Sequence, residues 1–152
     1  LNGNRHNTTQ LQTDLSLYMS FRIPANFVIV SRFGGGKLWG NYEYFQALTI
    51  GGTQNLRGYR NFRFAGDANI YNNTEIRVKL FDLKTYVLPA GVGLVAFNDV
   101  GRVWFKNETS HVWHDGYGGG IYIAPINALI ITAVVGHSQE ETVPYVTFGF
   151  KF

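Results

Sequence analysis

Apolar residues recur at every second position in this chain, and that period sets the fold class. Across 11–21 the odd positions read Leu, Thr, Leu, Leu, Met, Phe; the even positions from Gln12 to Arg22 read Gln, Asp, Ser, Tyr, Ser, Arg. Side chains alternate faces along a strand, so this segment is a two-faced strand of about eleven residues. Such a strand crosses a bilayer when tilted. No convincing helical period occurs.

The same reading continues along the chain. Ile23-Pro24-Ala25-Asn26 predicts a tight turn. A second strand follows over 27–33 and a third over 68–81. The third carries Thr74, Ile76, Val78 and Leu80 on one face and Asn73, Glu75, Arg77 and Lys79 on the other. A fourth, over 91–104, turns Leu94, Ala96 and Val100 outward and Gly93, Val95, Phe97, Asp99 and Gly101 inward. The fifth covers 117–123, with a turn at 124–127, and the sixth covers 128–138. The last, 142–152, gathers Val146, Phe148, Phe150 and Phe152 on one face and Tyr145, Thr147, Gly149 and Lys151 on the other. A soluble edge strand this apolar would aggregate, so a buried or lipid environment is expected. The expected fold is all-β: an antiparallel transmembrane β-barrel region of about seven strands filling 1–152 as one unit. Short turns alternate with longer connections at 37–67 and 105–116, as in outer-membrane barrels. An odd strand count does not close such a barrel easily.

Composition narrows the class. No apolar run approaches the ~18 residues of a spanning helix, which leaves strands as the route across a membrane. Mean hydropathy is −0.06, unremarkable for strands that alternate lipid-facing and inward residues. Without cysteine there is no disulfide framework or thiol chemistry. The net charge of +3 is scattered and gives no nucleic-acid stripe. A start at Leu1, with neither Met nor a signal peptide, reads as a mature product or a fragment.

Segment 37–67 is too long for an ordinary hairpin loop. It is also too apolar for disorder, with Tyr42, Tyr44, Phe45, Leu48, Ile50, Leu56, Tyr59, Phe62 and Phe64. It is expected to pack inside the barrel. Within it, Gly51-Gly52-Thr53-Gln54-Asn55-Leu56-Arg57-Gly58-Tyr59 puts one arginine at a glycine-flanked tip. About forty residues on, Phe97-Asn98-Asp99-Val100-Gly101 puts one acid on a strand of apolar residues and glycine. Isolated charges in such places are costly, so each predicts a partner.

These motifs resemble the BamA-like outer-membrane assembly and secretion family, the bacterial surface antigen family. Leu56-Arg57-Gly58-Tyr59 resembles the tip of that family's lumen-inserted loop. Glu75-Ile76-Arg77 resembles the strand that follows it. Phe97-Asn98-Asp99-Val100-Gly101 with Trp104 resembles the inward acidic strand. Similarity continues through Gly118-Gly119-Gly120 and Pro125 to Phe152, covering about 10–152. It implies the C-terminal part of a sixteen-stranded barrel. It also implies that Arg57 pairs with Asp99, Glu75 or both, with Arg77 in the same network, and that 142–152 carries an assembly signal and the barrel seam. The chain departs from the family in having about seven strands and no periplasmic repeats. Its Gly149 is also offset from the commonest spacing.

Other motifs have plainer readings. Gly34-Gly35-Gly36-Lys37 lacks the spacing and following helix of a phosphate loop and is read as a strand end opening into the long segment. His111-Val112-Trp113-His114-Asp115 fits no metal spacing and is read as an exposed loop. Glu75 and Asp99 suggest an ion-pair network rather than acid–base catalysis. Asn7, Asn72 and Asn107 match glycosylation acceptors by chance. Trp39, Trp104, Trp113, Tyr42, Tyr44 and Tyr117 suggest an interfacial aromatic girdle.

The expected function is ATP-independent insertion or translocation of polypeptides at the outer membrane of a Gram-negative bacterium. Expected partners are outer-membrane lipid, client polypeptides, the remainder of a larger barrel and periplasmic domains. No enzymatic role, cofactor, metal or nucleic acid is expected. A second reading is a barrel anchoring a periplasmic phosphoesterase or lipase domain outside this chain. A third is a soluble barrel of lipocalin size.

Overall fold

The computed structural model describes residues 8–22, 26–41, 43–84, 89–105, 111–125 and 129–150, with the backbone alone at Phe150. The strands are β1 (Thr8–Phe21), β2 (Phe27–Gly40), β3 (Leu48–Ile50), β4 (Phe64–Gly66), β5 (Ala68–Leu83), β6 (Ala90–Trp104), β7 (His114–Pro125), β8 (Leu129–Ser138) and β9 (Thr142–Phe150). Seven form one antiparallel sheet in the order β1-β2-β5-β6-β7-β8-β9. These are the seven strands read from the alternation. The sheet is not closed: β1 and β9 are its two edges.

Two features of 37–67 differ from expectation. β2 does not end at residue 33 but runs through the glycine triplet to Gly40, paired with β1 to its end and with β5 as far as Lys37. Gly34 is required there because the Tyr71 ring and the Asp14 carboxylate occupy the space a Cβ would need. The rest of the segment is not a bare loop. It holds a short 3-10 turn (Tyr44–Gln46) and a β3–β4 hairpin whose strands pair Leu48 with Gly66 and Ile50 with Phe64. Residues 23–25 and 126–127, on which the expected turns fall, and Tyr42 lie outside the described residues.

The loop covers one face of the sheet and leaves the other open. On β6 the covered-face residues Gly93, Val95, Phe97, Asp99 and Gly101 are buried, while Leu94, Ala96 and Asn98 are exposed. One core cluster joins Val95, Phe97, Tyr122, Ala124 and Val134. A second joins the loop residues Ile50, Leu56 and Tyr59 to Tyr71. The large apolar side chains on the opposite face stay exposed: Leu11, Leu15, Leu17 and Met19 on β1, Ile76 on β5, Ile121 on β7, and Val146 and Phe148 on β9. A patch of this extent in water would be an aggregation liability, and it fits a lipid-facing wall.

The pairing also gives the strand stagger. Ser31, Thr74, Asn98, Tyr117, His137 and Thr142 are successive direct partners from β2 to β9. This row crosses β2 well inside the strand but meets β9 at its first residue. The strand midpoints climb roughly one residue per strand against a spacing of ~4.8 Å, a tilt of roughly 35–40°. Membrane barrels have tilts of this size.

On this architecture Leu94→Arg, on the open face, is expected to destabilise the folded protein by about 2–4 kcal/mol in lipid vesicles. Gln12→Arg, on the covered face of β1, is expected to cost less than about 1 kcal/mol. Denaturant titration in vesicles measures both, and equal losses would contradict the assignment of faces.

Candidate functional site

The loop tip is held against the sheet by a closed ion-pair cluster. Arg57 donates from Nε and Nη2 to the two oxygens of Asp99, at 2.7 and 2.8 Å, and its backbone N–H donates to the same carboxylate at 2.9 Å. Its Nη1 donates to Glu75 at 2.6 Å. The other Glu75 oxygen accepts from Arg77 Nε at 2.6 Å. Two arginines and two carboxylates leave the cluster neutral. The guanidinium also lies over the Phe97 ring, 3.7 Å from its centroid. Asp99 is 0% exposed and the Arg57 side chain 12%. Burial works against the Arg57 charge, but Asp99 and Glu75 outweigh it, and the arginine pKa is raised.

The geometry follows from strand parity. Glu75 and Phe97 are direct partners on β5 and β6, and Asp99 is one covered-face position further on. Both carboxylates therefore meet one arginine arriving from above. Gly58 adopts φ +98°, a left-handed conformation that turns the chain just after Arg57. β7 gives way beneath the tip: a Cβ at Gly116 would collide with the Arg57 carbonyl oxygen. Gly101 leaves room for Ile50, whose Cδ1 would lie 3.0 Å from an added Cβ. Leu56 and Tyr59, flanking Arg57 and Gly58, are 0% and 2% exposed.

A second set of contacts, which sequence reasoning missed, ties the tip to the β8–β9 hairpin. Tyr145 Oη accepts from Gly58 N–H and donates to the Tyr59 carbonyl, both at 2.9 Å. Ser138 Oγ donates to the Gly58 carbonyl at 2.7 Å. Arg63 makes a two-point contact with Glu140, and Arg60 pairs with Glu141. Tyr145 was legible only as a residue on the inward face of the last strand. Its hydroxyl, both donor and acceptor, was the available signal. On the other side of the tip, Asn73 Nδ2 donates to the Asn55 carbonyl at 2.9 Å.

The remaining sequence-stretch expectations fare differently. Val146 and Phe148 lie exposed on the open face of β9. The Phe150 side chain and Phe152 lie outside the described residues. Tyr44, Phe45 and Phe62 do not pack inside: they are 73–82% exposed, while the segment buries Leu38, the apolar groups from Leu48 to Tyr59, and part of Phe64. His114 and Asp115 open β7 rather than lying in a loop, and His114 stacks on Phe64 with centroids 3.6 Å apart. Trp104 and Trp113 flank the Arg102 guanidinium at the loop-bearing end of the sheet. Tyr117 sits within β7 rather than at its end.

The Omp85 superfamily domain matches residues 1–126. The chain belongs to the Omp85 superfamily. The Omp85 assignment and the all-β structure fit an outer-membrane β-barrel. β8 and β9 follow the matched residues. No curated protein and no solved structure matches the chain.

For this Omp85 chain, removing one partner of the buried cluster leaves an uncompensated charge, which costs about 3–5 kcal/mol. Asp99→Ala is expected to lose that much, read by denaturant titration. The double variant Arg57→Ala/Asp99→Ala is expected to lose clearly less than the sum of the two single changes. Additive losses would contradict the pairing. Tyr145→Phe removes two hydrogen bonds and is expected to cost about 1–3 kcal/mol. It should also expose the peptide bonds around Gly58 to limited proteolysis.

Proposed function

We propose that this chain forms the C-terminal part of a larger, sixteen-stranded Omp85 barrel that inserts or translocates polypeptides at the outer membrane without ATP. In this reading segment 41–67 lies in the lumen and the open face meets lipid. Further strands, and periplasmic domains, come from outside the chain. The observation that carries the reading is the double attachment of the loop tip. Arg57 fastens it to β5 and β6, and Tyr145 fastens it to the edge strand β9. An edge strand presents unpaired backbone groups, and an extended client segment adds there by β-augmentation. A loop joined to both the wall and the edge would hold β9 in place while the client pairs.

The chemistry of the cluster supports a structural rather than a catalytic role. Every ionised group in it is committed to another. Asp99 is fully buried behind Arg57, and no acid stands free to exchange a proton with a substrate.

Arg57→Ala is expected to lower the amount of correctly assembled outer-membrane protein in cells. Arg60→Ala, at an 80% exposed side chain, is expected to change it little. Normal growth and unchanged outer-membrane protein levels with Arg57→Ala would reject the proposal.

A further inference from the structure

Between the inserted segment and the covered face of β1 and β2 lies a cavity of about 290 Å³, away from the Arg57 cluster. Its lining is polar and uncharged where it is free. Gln10, Gln12, Gln54 and Asn61 line this space, and their side-chain amides make no hydrogen bond among the described residues. The charged groups there are already spent. Arg32 donates from Nε to Asp14, from Nη1 to the Gln54 carbonyl and from Nη2 to Tyr71. Asp14 also accepts from the Tyr71 hydroxyl. A phosphate or carboxylate ligand would find no free guanidinium edge.

The rim holds a second anomaly. Phe62 is 73% exposed and sits at φ 59°, the one described non-glycine residue with positive φ. A bulky side chain in that region is strained, and strain of this kind clusters at ligand clamps. Phe62 belongs to neither apolar cluster, so its strain gains no core packing. Its exposed ring lines the same cavity as these amides.

We propose that this cavity binds an uncharged saccharide. Each free amide offers both a donor and an acceptor, and each sugar hydroxyl needs both. The C–H face of a pyranose ring has the shape and polarity to rest on the Phe62 ring. The volume is at the small end of ligand sites and suits a short sugar rather than a long polymer. An extended peptide is a poorer fit: it would pair at the outer edge of β1, whereas the backbone groups between β1 and β2 are already spent on each other. The proposal does not depend on polypeptide insertion.

The test uses the intact protein in a sugar-free zwitterionic detergent. Maltose, cellobiose and N,N′-diacetylchitobiose are titrated by saturation-transfer NMR. Saturable binding of at least one is expected. Phe62→Gly should weaken it about tenfold or more while leaving the melting temperature unchanged or raised, since glycine relieves the strained φ. Gln12→Leu should also weaken it, and Phe45→Ala, at an exposed aromatic outside the cavity, should not. A matching alkyl glycoside below its micelle concentration distinguishes a lipid-linked sugar from a free one, and binding of either supports the site. The proposal is overturned if none of the sugars saturates or if Phe62→Gly leaves affinity intact. It is also overturned if an unstructured Gly-Ser-Asn peptide binds the cavity and the sugars do not displace it.

Discussion

Asp99 is the constraint around which the loop is built. A carboxylate removed from water on an apolar strand is tolerable only if its lone pairs are filled and its charge is matched. Arg57 does both, with its fork and its own backbone N–H directed at the same two oxygens. This demand fixes the backbone of the tip as well as the side chain, because the N–H reaches Asp99 only when Arg57 lies flat on β6. Gly58 must then turn away at positive φ, and β7 must carry no side chain at Gly116. The fork leaves Nη1 over for Glu75, and Glu75 in turn requires Arg77 for its second oxygen. A neutral cluster of four follows from one buried acid.

That cluster alone would fasten the loop only to the middle of the sheet. The contacts to Tyr145, Ser138, Glu140 and Glu141 extend the attachment across β7 to the last hairpin. The two attachments differ in kind. The Arg57 side is buried and charge-balanced, so salt screens it little and loss of either partner is costly. The Arg60 and Arg63 side chains are 80% and 48% exposed, and their pairs are worth little individually. Tyr145 stands between these extremes: a neutral hydroxyl bridging two backbone groups. The wall contact is thus the firm one and the edge contact the adjustable one.

Much of this was legible before the structure. Alternation is a period-two signal, and it correctly assigned faces on β1, β5, β6 and β9. Face assignment in turn put Glu75 and Asp99 on the side where Arg57 arrives. What was not legible depended on neighbours distant in sequence. A glycine triplet reads as a chain breaker, yet Gly34 sits mid-strand because the Tyr71 ring from β5 fills the space over it. Three-residue strands such as β3 and β4 show no period at all. The exposure of Tyr44, Phe45 and Phe62 was missed because apolar content was read as burial, although these three side chains lie in the open. Tyr145 looked like one of several inward residues on β9, and only the fold brings it to Gly58.

The open face is not uniformly apolar, and its exceptions follow the sheet geometry. Ser31, Thr74, Asn98, Tyr117, His137 and Thr142 form a row of direct partners. Such groups are costly against lipid unless paired. Part of the row supplies its own partners: Asn72 donates to Ser31 and accepts from Thr74, while His137 and Thr142 share a hydrogen bond of 2.7 Å. Because the strands are tilted, the row descends across the wall rather than ringing it at one depth. It meets β9 at its first residue, so the apolar stretch on β9 is confined to the positions beyond Thr142. On β1, outside the row, it runs from Leu11 to Phe21. The exposed apolar residues of β9, Val146 and Phe148, therefore lie to one side of the row, on the strand whose Tyr145 contact is the adjustable end of the loop.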